Sequence, residues 1–166
     1  MLEPLVAPFE LSLGVYDGAL ERAVRAYKFA GVRRLGEFFG AALADALRTS
    51  GWEADVLCAV PLHPVRLMQR GYNQSALLAR AAAKRSGLPC RALLKRVRAT
   101  RQQARLGGED RQGNVAGAFA SSALRGERVV LIDDVFTSGA TVTECALTLL
   151  AAGAGRVYVA TLARAQ

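Results

Sequence analysis

Apolar positions along this 166-residue chain alternate between blocks of helical and of strand periodicity. Residues 1–18 carry Pro4, Pro8, Gly14 and Gly18 among apolar residues, which predicts a short irregular or β segment. ALERAVRAYKFAG (19–31) places Leu20, Val24 and Tyr27 near helical spacing and stops at Gly31. A second helix is clearer, with Leu35, Phe38, Phe39, Ala42, Leu43, Ala46 and Leu47 in one stripe closed by Ser50-Gly51. ADVLCAV (54–60) reads as a fully buried strand cut off by Pro61 and Pro64. Helical periodicity returns from Gln74 to Arg85, stopped by Gly87-Leu88-Pro89, and a short strand is expected near 92–95. Residues 96–114 are polar and arginine-rich with no apolar period until AGAFA (116–120). A stretch of that kind inside a compact domain is either functional or a misassigned element. VVLI (129–132) predicts a buried strand, Thr141 to Ala152 a helix, Gly153-Ala154-Gly155 its stop, and RVYVATLA (156–163) a last strand. Strands alternating with helices imply an α/β domain: a mostly parallel sheet with helices on both faces. No internal repeat interrupts it.

Composition narrows the partners. The apolar fraction is 52% with only 7% aromatic residues, which suits layered α/β packing in one domain spanning 1–166. Net charge is +8, and lysine occurs only at Lys28, Lys84 and Lys95, so the positive charge is nearly all arginine. Guanidinium forks match phosphate oxygens, pointing to a phosphorylated substrate or a nucleic acid; genome composition or thermal adaptation is the alternative source of arginine. Cys58, Cys90 and Cys145 are isolated, which argues for a reducing compartment and against a disulfide frame or a zinc site. No apolar run reaches membrane-span length and no basic leader precedes an apolar core, so the expectation is a soluble, cytoplasmic protein.

VVLIDDVFTSGAT (129–141) carries the chemistry. In open α/β sheets ligands bind beyond the carboxyl ends of the strands, where Asp133 and Asp134 fall. The following Thr137-Ser138-Gly139-Ala140-Thr141 opens a helix whose first amides lack intrahelical partners. Small residues let those amides approach an anion, and the hydroxyls add donors. A monophosphate there would set an attached sugar against two carboxylates able to accept from vicinal hydroxyls. Ribose 5-phosphate fits that description. For an isolated Asp-Asp, a solvated turn capping the next helix is the plainer reading. No GxxxxGK[ST] occurs, and Gly153-Ala154-Gly155 precedes a strand, so neither a P-loop nor a dinucleotide fingerprint is present.

The same string resembles the phosphoribosyl diphosphate (PRPP) signature of type I phosphoribosyltransferases, which implies their single Rossmann-like domain. The resemblance assigns Asp133 and Asp134 to the ribose hydroxyls and Thr137 to Thr141 to the 5′-phosphate. VPLHPVRLMQRGYNQSALLA (60–79), YKFAG (27–31) and KRVRATRQQARLGGEDRQGNVAGAF (95–119) are similar to the ComF (GntX-like) competence-associated branch. It implies a pyrophosphate turn over 61–73, with Arg66 and Arg70 as bidentate donors and Gly71 allowing close backbone approach. Asn73 would cap the next helix. His63 is either an exposed turn residue without chemistry or a pyrophosphate or water contact. Residues 96–114 would be the flexible loop closing over substrate, with Thr100 and Gln103 at positions the branch favours and Arg96, Arg98, Arg101 and Arg105 supplying charge to fold over a diphosphate. A disordered basic linker is its alternative. Lys28 either reaches the phosphates or snorkels from its helix.

The resemblance further implies Mg²⁺, bridging diphosphate oxygens and ribose hydroxyls and touching Asp133 and Asp134 only through water or ribose. Such chains commonly begin with a zinc module of CxxC pairs, which these cysteines cannot form, so no zinc module is expected. About the first 30 residues are left for an acceptor-binding hood, and the acceptor is unreadable. Three readings stand: a PRPP-dependent phosphoribosyltransferase, a nucleic-acid module for DNA uptake that binds single-stranded DNA or the competence machinery, and a PRPP-binding regulator without turnover. Against the second, the basic loop has no interleaved aromatic residues. A second copy of the chain, as a homodimer, is a further candidate partner.

Overall fold

Residues 128–136 form the hub of a parallel sheet, and their alternation decides what lies on each face. The structure, a computed structural model, describes residues 9–30, 32–98 and 116–166. In chain order the elements are β1 (Glu10–Val15), α1 (Gly18–Phe29), α2 (Arg34–Thr49), β2 (Val56–Ala59), α3 (Pro64–Arg70), α4 (Gln74–Ser86), β3 (Leu94–Arg96), β4 (Phe119–Ser121), β5 (Arg128–Phe136), α5 (Ala140–Ala151) and β6 (Arg156–Arg164). The main sheet runs β1-β6-β5-β2 with every neighbouring pair parallel. β3 and β4 form a separate antiparallel pair.

Side chains alternate across a strand, so the apolar run of β5 feeds two cores. Val129 and Leu131 pack with Val157 and Val159 of β6 against Val142, Cys145 and Leu149 of α5 and against Leu94 and Phe119 of the β3–β4 pair. Val130 and Ile132 pack with Tyr158, Ala160 and Leu162 against Tyr27 of α1, Leu43 and Leu47 of α2 and Leu78 and Ala82 of α4. This is the α/β architecture that the periodicity implies, with helices on both faces.

Close helix contact positions α4. A Cβ on Gly40 of α2 would lie 2.3 Å from the Ala81 Cβ, so glycine lets the two helices meet. Gly153 and Gly155, read as a helix stop, do more than stop: a Cβ on either would lie 2.4 Å from the carbonyl oxygen of Leu124 or Gly126. They seat the start of β6 against the segment leading into β5.

Three boundaries differ from the sequence reading. β5 continues through Asp133 and Asp134 to Phe136, because β6 pairs with it as far as Arg164. The 61–73 turn contains α3, which buries none of its residues and so shows no apolar period. β3 ends at Arg96, so the first residue of the expected loop belongs to a strand. The Gly31 stop lies outside the described residues; α1 ends at Phe29 with the Ala30 amide donating to the Ala26 carbonyl. Of the 30 residues read as a reduced hood, Glu10–Val15 is the sheet edge beside β6 and α1 packs into the second core.

Candidate functional site

The carboxyl ends of β2 and β5 lie side by side, with Ala59 opposite Ile132 and the Val60 amide donating to the Ile132 carbonyl at 2.9 Å. The segment leaving each strand makes one wall of a cleft. After β2, Asn73 ties the 61–73 turn together: its Oδ1 accepts from the Ser75 and Ala76 amides at 3.0 and 3.3 Å, while its Nδ2 donates to the Val60 carbonyl at 3.1 Å. That is an N-cap for α4. His63 caps α3, its Nδ1 accepting from the Val65 amide at 3.2 Å. Gly71 ends α3 at φ 75°, a left-handed conformation that favours glycine.

The N-terminus of α4 delivers the next pair, Gln74 and Ser75, to the acids. Ser75 Oγ donates to Asp133 Oδ1 at 2.9 Å, and the Asp134 amide donates to the same oxygen at 2.9 Å. Asp134 is held more tightly. Its Oδ2 accepts from Gln74 Nε2 at 2.8 Å and pairs with Lys28 Nζ at 3.1 Å, and its Oδ1 accepts from the Val135 amide at 2.6 Å. Carboxylate oxygens each have two acceptor sites. Among the described residues, Asp133 Oδ2 receives no hydrogen bond, and Asp134 Oδ1 receives one. Asp134 is buried and Asp133 half-buried. The adjacent acids therefore differ: Asp134 is an anchored anion, and Asp133 turns an open carboxylate oxygen to the cleft.

Burial, and then the neighbouring Asp134 charge, push the Asp133 carboxyl up to about 7. Ser75 and Lys28 oppose that rise. Tyr27 lies behind the pair, its hydroxyl donating to the Gln74 carbonyl at 2.6 Å and its own carbonyl accepting from the Tyr72 hydroxyl. Burial raises the Tyr27 phenol above its ordinary range, so it stays a neutral donor.

The cleft has a volume of about 360 Å³. Asp133, Asp134, Thr137, Gly139, Ala140 and Thr141 line it from β5 onward, Arg66 and Arg70 from the segment after β2, and Arg96 from the end of β3. α5 starts at Ala140, with the Gly139 carbonyl accepting from the Thr143 amide at 2.8 Å, so the amides ahead of that bond sit at the cleft wall. Gly139 has φ 73°, and a Cβ there would lie 2.8 Å from the Phe136 ring. Ser138 stands off the cleft wall with its Oγ 3.5 Å from the Ala140 amide, and Gly71 likewise does not line the cleft. Burial pulls Arg70 and Arg96 down from the ordinary arginine range, which marks desolvated cations that gain from an anion. Thr100, Gln103, Arg101 and Arg105 lie outside the described residues. The chain enters and leaves that segment side by side, with the Val97 amide donating to the Ala118 carbonyl at 2.8 Å and Arg98 donating to the Ala116 carbonyl.

Lys28, Gln74 and Ser75 are the residues whose roles the sequence reading left out or undecided. Gln74 and Ser75 were findable, since they directly follow a capping Asn at the carboxyl edge of the sheet. Lys28 carried no such signal, because its partner is more than a hundred positions away.

Comparison with known proteins bears on the family and the fold. A phosphoribosyl transferase domain model matches residues 27–166. Competence protein F of Haemophilus influenzae is 32% identical over 163 residues, covering 92% of this chain and 71% of that protein. The chain belongs to the phosphoribosyl transferase family, in its ComF branch. DNA utilization protein YhgH of Escherichia coli K12 is 38% identical over 124 residues, covering 72% of this chain and 54% of its relative. Glutamine phosphoribosylpyrophosphate (PRPP) amidotransferase from B. subtilis, complexed with ADP and GMP, aligns with a TM-score of 0.58 at 23% identity. That alignment covers 83% of this chain and 30% of the amidotransferase, so the likeness is one of fold. Among the described residues no helix is long and apolar enough to cross a membrane.

The donors suit a magnesium ion that arrives with its ligand. No cluster of three or more His, Cys, Asp or Glu side chains stands ready for a metal among the described residues. Mg²⁺ commonly binds through one or two carboxylates, water and substrate phosphates. Asp133 Oδ2 and the remaining acceptor site on Asp134 Oδ1 would hold such an ion through water or through a bound ribose.

Proposed function

We propose that this chain binds PRPP with Mg²⁺ in the cleft and transfers its phosphoribosyl group to an acceptor. The observation that carries the reading is the open Asp133 Oδ2 in the same cleft as the N-terminus of α5. A 5′-phosphate at that helix start would receive backbone amides, the Thr137 and Thr141 hydroxyls and the favourable end of the helix dipole. The ribose diol would donate to Asp133 Oδ2 and to the remaining site on Asp134 Oδ1. Arg66, Arg70 and Arg96 would take up charge on the diphosphate.

In the transfer, a bond forms from the acceptor to ribose C1 as the C1–oxygen bond to diphosphate breaks, and diphosphate leaves with the electron pair. The chain supplies position and electrostatic stabilisation without a covalent nucleophile. Bound Mg²⁺ would neutralise diphosphate charge. Membership in the ComF branch associates this chain with competence and DNA utilisation.

Isothermal titration with PRPP and Mg²⁺ tests the reading on wild type, Asp133→Asn and Thr141→Ala. Saturable heat for wild type, abolished in Asp133→Asn and weakened in Thr141→Ala, is expected. A wild type that releases no heat removes both transfer and binding. Saturable binding without diphosphate release in the presence of candidate acceptors leaves a regulator. DNA binding that persists in Asp133→Asn with a steep salt dependence would mark a separate surface.

A further inference from the structure

We propose that the last turn of α1, Tyr27-Lys28-Phe29, is the positioning element of the cleft: Phe29 shelves the Arg70 guanidinium while Lys28 holds Asp134. Consecutive helix residues point about 100° apart, so three neighbours reach three surroundings. Tyr27 is fully buried and anchors the turn twice, through its hydroxyl to the Gln74 carbonyl and through its carbonyl to the Tyr72 hydroxyl. Lys28 turns to Asp134 at 3.1 Å. Phe29 turns outward and is 67% exposed, although apolar cores lie on both faces of the sheet. It meets the Arg70 guanidinium instead, whose Cζ lies 4.9 Å from the ring centroid.

A cation over an aromatic face is attracted by the ring quadrupole. Arg70 is also half-buried against the cleft, so the ring orients a desolvated cation that has Arg66 as a like-charged neighbour. Because Tyr27 fixes the turn, the spacing between the anchored carboxylate and the shelved guanidinium is set by one rigid element. The inference rests on the proposed PRPP reading and deepens it: the turn would set the distance from ribose diol to diphosphate. Phe29 and Lys28 act through Arg70 and Asp134, and are positioning residues.

The test combines a binding measurement with one that needs no ligand. In wild type the Arg70 Nε–H resonance, assigned by its loss in Arg70→Ala, should be shifted upfield by the Phe29 ring and return in Phe29→Leu. Phe29→Leu should keep the wild-type melting temperature and bind PRPP with Mg²⁺ about three- to five-fold more weakly. Phe29→Trp should restore binding, and Phe29→Leu should add no loss in an Arg70→Ala background. An unshifted Arg70 resonance in wild type, or Phe29→Leu binding as tightly as wild type, overturns the shelf. Failure of wild type to bind PRPP overturns the proposed function, and the ring-current shift then judges the positioning by itself.

Discussion

Replacing Lys28 by Met removes an ammonium and keeps an unbranched apolar stem. Its side chain is 19% exposed and that of Asp134 6%, with Nζ and Oδ2 3.1 Å apart. Breaking a fully buried pair by removing one partner costs about 3–5 kcal/mol, and an exposed pair is worth ~0–1 kcal/mol. This pair lies nearer the buried limit, but Gln74 Nε2 and the Val135 amide still donate to Asp134 after the change. The expected loss is therefore about 2–3 kcal/mol, or about 5–10 °C in Tm for a domain of this size. Urea unfolding of wild type, Lys28→Met, Asp134→Asn and the double variant closes a cycle. The double variant should recover at least about 1 kcal/mol relative to the sum of the singles, because it leaves no buried charge unpaired. Lys28→Met within about 0.5 kcal/mol of wild type, or strict additivity, would refute the argument.

Asp133 predicts a pH dependence of opposite sign to that of an ordinary ion-paired carboxylate. Its carboxyl is raised to about 7 in the fold, against about 3.9 in an unfolded chain. Between those values the native state holds a proton that the unfolded chain releases, so this group's contribution falls as pH rises through the window and is fully present below it. Asp133→Asn should gain about 1–3 kcal/mol on wild type between pH 5 and pH 8 in urea melts while losing ligand. An identical difference at both pH values would sink this. Gly40→Ala should cost about 1–3 kcal/mol by pushing α2 from α4, with Ala81→Gly in the same chain restoring part of it in thermal melts. Gly139→Ala combines a left-handed φ with a contact on Phe136, and should cost about 1–2 kcal/mol and weaken PRPP binding in titration.

The two apolar strands were legible because burial on both faces leaves an unbroken hydrophobic run, as in VVLI and RVYVATLA. The acids and the small-residue loop were legible because strand, turn and helix start are contiguous. α3 was not, since it packs nothing away and periodicity is a record of packing. The strand course of 133–136 was missed because carboxylates look like a strand's end, whereas pairing with β6 holds the backbone extended under them. Lys28, Phe29 and Arg70 form their contacts across folds of the chain, and no local pattern encodes a partner at that remove.

Two adjacent carboxylates at the mouth of the proposed anion site pose an electrostatic problem that α1 resolves. Like charges 4 Å apart repel by about 4 kcal/mol at an effective dielectric of 20, and a phosphorylated ligand would add to that. Unequal surroundings split the pair. Lys28 neutralises Asp134 within hydrogen-bonding distance, and among the described residues no cation forms an ion pair with Asp133, whose proton affinity rises instead. The acid pair thus carries no more than about one uncompensated negative charge, since Lys28 balances one of the two, and Arg66, Arg70 and Arg96 line the same cleft. Removing Lys28 would therefore do more than loosen α1. It would confront a diphosphate with an unbalanced carboxylate, so ligand affinity in Lys28→Met should fall further than in Gln74→Ala, which deletes a neutral donor to the same oxygen. Equal losses in the two variants would mean that hydrogen bonding alone, and not charge, orders this corner of the cleft.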